Sequence, residues 1–148
     1  MEEHYVSFDV AKLLKARGFD AVCRSFYKTW DGGTSRYDAD KSQRFDYCTN
    51  SSLEAYNIIY QEENIAAPTQ QMAQDFLMRD MELLVLVDCD RPMYEKHRLK
   101  FKYFIIDTRT SKIVYIDGEY FDMYKDAMNA GLYKALNEFE DLTVERRS

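Results

Sequence analysis

The stretch from Leu83 to Asp117 most constrains what this chain can fold into. It holds three β-rich segments, Leu83 to Asp88, Leu99 to Asp107 and Lys112 to Asp117. Only the short run Thr108 to Lys112 links the second to the third. A parallel crossover needs a dozen or more residues, so these two strands must form an antiparallel hairpin. Arg91 to His97 is a longer polar connection between the first and the second. The hairpin is apolar on both sides: Ile106, Val114 and Ile116 oppose Ile105, Ile113 and Tyr115 by simple alternation. An antiparallel sheet with one wet face alternates apolar with polar. This pattern therefore expects both faces to be covered, or one face to meet another subunit.

A helix from Asp122 to Glu140 follows, with Asp122 as its expected cap. Tyr124, Met128, Leu132, Ala135, Leu136 and Phe139 recur at steps of three and four and form a broad apolar stripe. Gly131 lies beside that stripe. Glycine costs helix propensity, so its presence points to a close helix–sheet contact. Residues 144–148 are expected to fray.

The first half opens with a short helix. Ser7 is placed to cap it and Asp9 sits in its first turn, where the helix dipole favours negative charge. Phe8, Val10, Ala11, Leu13 and Leu14 form the apolar side. Gly18 stands where helices end in a left-handed residue, and Phe19 can fold back onto Leu14. Ala21 to Trp30 reads as a strand, Asp31-Gly32-Gly33 as a turn and Thr34 to Tyr37 as a partner strand. Asp38 to Tyr47 reads as a loop or ragged strand. Ser51 or Ser52 can cap a helix holding Leu53, Tyr56 and Tyr60, yet Tyr56 to Tyr60 also suits a strand, so both forms stay open. Pro68 and Thr69 open a further helix. Met72, Ala73, Phe76 and Leu77 make its apolar side, Gln70, Gln71, Gln74 and Asp75 its polar side, and it ends near Asp80.

The expected order is α-β-β-(α or β)-α-β-β-β-α, an α+β class with a mainly antiparallel meander sheet packed against helices. At 148 residues, with 46% hydrophobic residues, the chain is read as one domain spanning 1–148. The net charge of −6 disfavours a grip on phosphate backbones. The longest apolar run is the five residues Leu83 to Val87, far short of the ~20 that span a membrane. Met1-Glu2-Glu3-His4 lacks the basic start of a secretory signal. Three widely spaced cysteines, Cys23, Cys48 and Cys89, suggest reduced thiols in a cytoplasm.

Several segments carry a resemblance. Val6-Ser7-Phe8-Asp9-Val10-Ala11-Lys12-Leu13-Leu14 with Arg17-Gly18-Phe19-Asp20, then Asn50-Ser51, then Ala67-Pro68-Thr69-Gln70-Gln71-Met72-Ala73, and the late Tyr124-Lys125-Asp126-Ala127 to Ala135-Leu136 are similar to landmarks of a family of small uncharacterised prophage and mobile-element proteins of bacteria. That resemblance implies a mobile-element origin and transfers no site residues. Between Asn50 and Ala67 this chain is longer than the family's pattern.

Chemistry-bearing groups are sparse. His4 and His97 are the two histidines, and no Cys-x-x-Cys or His-x-x-x-His spacing exists for zinc. Asp88 and Asp90, on one side of a strand end, are the candidates for holding a divalent metal with waters. Asp117, Glu119 and Asp122 gather at another strand end. Cys89 with His97 is the one conceivable nucleophile–base pair. No phosphate-binding glycine loop appears, and no cofactor is expected. The α-β-β-β-α order of 69–139 matches double-stranded-RNA-binding domains in topology, but its second helix opens with Asp122-Met123-Tyr124-Lys125-Asp126 rather than a basic cluster. Twelve tyrosines, among them Tyr27, Tyr37, Tyr47, Tyr56, Tyr60, Tyr94, Tyr120 and Tyr133, exceed what a core absorbs and suit an interaction surface. The leading expectation is a non-enzymatic accessory domain that binds a protein partner or itself, with no nucleic acid and no membrane. Two alternatives are a small enzyme or metal-binding domain built on strand-end carboxylates, and an acidic nucleic-acid mimic.

Overall fold

The structure, a computed structural model, describes residues 3–30, 32–39, 47–90 and 99–139, with the backbone alone at Asp90. The sequence expectations for Asp31, residues 40–46, the connection 91–98 with Tyr94 and His97, and the tail 144–148 lie outside the described residues. The class is α+β, with four α-helices and two antiparallel three-stranded sheets among the described residues. The chain divides into two compact units, 1–71 and 72–148.

The first unit begins with α1, Phe8–Ala16. Ser7 caps it as expected, its side chain accepting from the Val10 N–H at 3.3 Å. Gly18 adopts φ 91°, and the Phe19 N–H then reaches the Leu14 carbonyl at 2.9 Å while Gly18 N–H reaches Lys15. This is the paired C-terminal bonding the sequence implied, and both Leu14 and Phe19 are buried. Strands β1, Ser25–Trp30, and β2, Gly33–Asp38, pair antiparallel. The strand read as starting at Ala21 starts later, because Cys23 pairs with Cys48 in a separate bridge instead.

The ambiguous segment resolves into both forms. Helix α2 covers Asn50–Tyr60 and strand β3 covers Glu63–Ala66. The cap is Thr49 rather than Ser51 or Ser52; Thr49 and Ser52 exchange side-chain and backbone bonds in a capping box. Gln61, left-handed at φ 54°, turns the chain from helix into strand. The first sheet then runs β2-β1-β3.

Strand β3 is an edge, and its outward backbone groups are met by two asparagines of α2. Ala67 N–H pairs inward with Ser25, so by alternation Asn64 and Ala66 face away from β1. The Asn57 side-chain amide donates to the Asn64 carbonyl and accepts the Asn64 N–H, both at 2.9 Å. Asn50 accepts the Ala66 N–H at 2.9 Å and donates to the Phe19 carbonyl at 2.8 Å. A carboxamide carries the same donor and acceptor as a peptide, so two side chains stand in for a fourth strand.

The second unit repeats the device. Helix α3, Gln70–Phe76, passes into a π turn over Leu77–Met81, and left-handed Glu82 leads into β4, Leu83–Asp90. Strand β4 is an edge of the sheet β4-β5-β6, with β5 at Lys100–Asp107 and β6 at Lys112–Ile116. Gln74 donates to the Val85 carbonyl and accepts the Val85 N–H at 3.1 Å. Gln74, on the polar side of the sequence pattern, is thus buried, and Gln70 on the same side is buried too.

Helix α4, Tyr124–Glu138, lies across β4 and β5. It starts two residues later than expected, with Met123 at the cap position, because Asp122 is paired with Lys100 instead. Ala127, Met128, Gly131, Leu132, Ala135 and Leu136 are buried, while Tyr124 is exposed. Gly131 is the close approach its position suggested. A Cβ there would sit inside the van der Waals envelope of Val85 Cγ1 and 3.1 Å from the Tyr103 ring.

Two mutations test these contacts. Asn50→Ala leaves the Ala66 N–H and Phe19 carbonyl buried without their partner and should cost about 2–4 kcal/mol in urea denaturation. Gly131→Ala should destabilise by about 1–3 kcal/mol through overpacking, although helix propensity alone predicts a gain of ~1 kcal/mol. A stabilised Gly131→Ala protein would refute the close helix–sheet contact.

Candidate functional site

The acidic candidates with described side chains each have a local partner. Asp88 is exposed, and its carboxylate accepts the N–H of Cys89 at 2.9 Å. Its cross-strand partner is Lys102. Asp90 belongs to β4, but its side chain is outside the described set. Asp117 accepts the Glu119 N–H at 3.0 Å and fixes the turn after β6. Asp122 pairs with Lys100. No cluster of three or more His, Cys, Asp or Glu side chains suited to a metal occurs among the described residues. His4 is exposed and its carbonyl accepts Gln70 N–H at 2.8 Å, while His97 lies outside the described residues.

The thiols divide into two kinds. Cys23 and Cys48 face each other in an antiparallel bridge, exchanging backbone bonds of 2.7 and 2.9 Å, and both are buried. Burial pushes the Cys23 thiol up to about 12, with Cys48 adding to the effect, and the Cys48 thiol up to about 11. Cys89 is exposed. The thiolate is the reactive form, so the buried pair is held in its inert state.

Tyr103 carries the other strong perturbation. Burial raises its phenol, and the charge of Asp117 raises it further. Tyr103 stacks on Tyr115 at 5.9 Å, and Lys134 lies over the Tyr115 ring at 4.5 Å. These groups sit on the α4 side of the second sheet and tie the helix to it.

The opposite side of that sheet is different in kind. The pairs Leu84↔Ile106, Leu86↔Phe104, Ile106↔Ile113 and Phe104↔Ile116 lie directly across from each other, so their side chains share one face. The exposures are 42% at Leu86, 53% at Ile113 and 57% at Ile116; Leu84, Phe104 and Ile106 are half-buried. Six apolar side chains therefore form one open face. Asp88 and Lys102, also partners across the strands, bound it at one end. Lys102 lies 5.4 Å over the Phe104 ring and 5.8 Å over the Tyr120 ring.

Strict alternation put Ile113 on the face of Ile105. A bulge between Ile105 and Ile106 corrects this, making Val114 the extra residue and moving Ile113 beside Ile106. The sequence signal for this face was the hairpin's two-sided apolar pattern. The tyrosines were the weaker guide. Tyr37, Tyr47 and Tyr60 are exposed in the first unit, Tyr120 and Tyr133 in the second, and Tyr27 is tied to the Val6 carbonyl at 2.6 Å. In the first unit Ile58 and Ile59, each 71% exposed, lie with exposed Tyr60 at the end of α2.

Comparison with family models, with curated proteins and with solved structures finds no match to this chain. No helix among the described residues is long and apolar enough to cross a membrane.

The thiol assignment is open to direct measurement. In native protein a thiol reagent should label Cys89 rapidly and Cys23 and Cys48 only through opening of the first unit. Unfolded thiols titrate near ~8.5. Between there and about 11 the folded chain keeps protons the unfolded chain has lost, so stability should fall as pH rises across that window. The slope should flatten in a Cys23→Ala/Cys48→Ala protein, measured by urea denaturation at pH 8 to 10.5.

Proposed function

We propose that this chain is an accessory domain of a bacterial mobile element that acts by binding protein rather than by catalysis. The open face of β4-β5-β6 is its binding surface. The observation that carries the reading is six apolar side chains on a side where a solvated antiparallel sheet would present polar ones. Contiguous apolar patches of a few hundred Å² on a folded surface mark interaction sites.

The titratable groups support the same reading. Asp117, Asp122, Cys23 and Cys48 each serve a turn, an ion pair or a packed bridge. The mobile-element origin rests on the resemblance alone. Its landmarks in the first unit meet in the fold: Asn50 bonds the Phe19 carbonyl, Ser51 bonds Asp20, and the Val6 N–H bonds the Pro68 carbonyl.

The test compares affinity capture from bacterial lysate by the wild-type chain and by an Ile113→Lys/Ile116→Lys protein shown to be folded by circular dichroism. Partners bound by the wild type should drop at least tenfold with the variant. Equal capture by both would remove the open face as the binding surface.

A further inference from the structure

We infer that the occupant of the open β4-β5-β6 face is a second copy of this chain, packed face to face across a two-fold axis. The inference rests on the interaction reading above and gives it a partner.

Three observations carry it. The first is area. Side chains of this size expose on the order of 150–200 Å² when fully open, so the six, with Val114 beside them, leave roughly 450 Å² of apolar surface. Two copies, with the rim of Asp88, Lys102 and Tyr120, then bury about 1,000 Å², the lower bound for a specific interface. The second is charge. The chain carries −6, yet the register sets opposite charges across from each other at this end of the face, Asp88 with Lys102 and Asp90 with Lys100. A copy of the same face brings no uncompensated charge into the contact, whereas a charged partner gains nothing from it. The third is the state of the sheet edges. Gln74 occupies the outward backbone of β4 at Val85, and the bulge at Val114 bends β6. Both devices discourage strand addition at an edge. Association is left to the face, where an identical patch on each copy gives an isologous contact that closes at two.

The resulting dimer has four layers, α4, sheet, sheet, α4, with the two sheets about 10 Å apart. Each sheet then has both faces covered, as its two-sided apolar sequence requires. An interface at the low end of the standard size implies a dimer that forms in the micromolar range.

Sedimentation equilibrium of the full chain from about 1 to 200 µM tests this. The mass should rise from 17.6 kDa toward twice that value. Ile113→Lys/Ile116→Lys and, separately, Leu86→Lys should hold the mass at the monomer, while Ile58→Lys, on α2, should dimerise like wild type. Circular dichroism and melting identify any variant that fails to fold; the wild-type concentration series needs no variant. A monomer at every concentration overturns the dimer. If that monomer still captures another protein through the face, the interaction reading stands; if capture is equally blind to Ile113→Lys/Ile116→Lys, both fall. A dimer that survives all three face substitutions also overturns the inference, because its interface lies elsewhere.

Discussion

A side-chain carboxamide doing the work of a missing strand is the interaction on which the rest depends. Each three-stranded sheet has an edge running beside a helix, and a buried edge leaves peptide groups that water cannot reach. Each such group left unpaired costs about 1–3 kcal/mol. Asn57 and Asn50 meet Asn64 and Ala66 in the first unit, and Gln74 meets Val85 in the second. In both units the chain reverses through a single left-handed non-glycine residue, Gln61 or Glu82, within two residues of the strand whose edge is closed. Helix, reversal and strand thus form one unit, in which the helix position fixes the edge and the edge fixes the sheet.

Closing those edges concentrates what remains open. Helix α4 covers one side of the second sheet, drawn in close by Gly131 against Val85 and Tyr103. The other side keeps Leu84, Leu86, Phe104, Ile106, Ile113 and Ile116 together. Only one residue, Val114, decides that Ile113 joins them, because an inserted residue flips the side-chain alternation beyond it. The face that supports a binding role is therefore a product of register and of helix placement in equal measure.

Much of the fold was legible where the signal is local. Ser7 caps α1 through an atom three residues away, and Gly18 with Phe19 closes it within five. The 108–111 connection is too short for anything but a hairpin, and the α4 stripe needs only helical period. The carboxamides were illegible for the opposite reason. Gln74 in a helix looks like a solvated residue until a strand edge eleven positions away presents a carbonyl and an N–H to it. Asn50 and Asn57 gave the same impression, and the segment they sit in divides into α2 and β3 only because those bonds hold the strand against the helix. Asp88 and Asp90 share a side of β4 by alternation, and the register sets each across from a lysine, Lys102 and Lys100.

By itself, the sequence determined the α+β class, the order of elements outside residues 50–66, the α1 caps and the apolar stripe of α4, since each follows from contacts within a turn or a hairpin. Its two-sided apolar hairpin also marked both faces of the second sheet as apolar. Tertiary structure alone decided that there are two sheets and which edges are closed. It also decided which side of β4-β5-β6 is taken by α4 and which carboxylates are spent on turns and ion pairs. Those depend on groups far apart in the chain meeting at hydrogen-bonding distance, and no local period or propensity encodes that meeting.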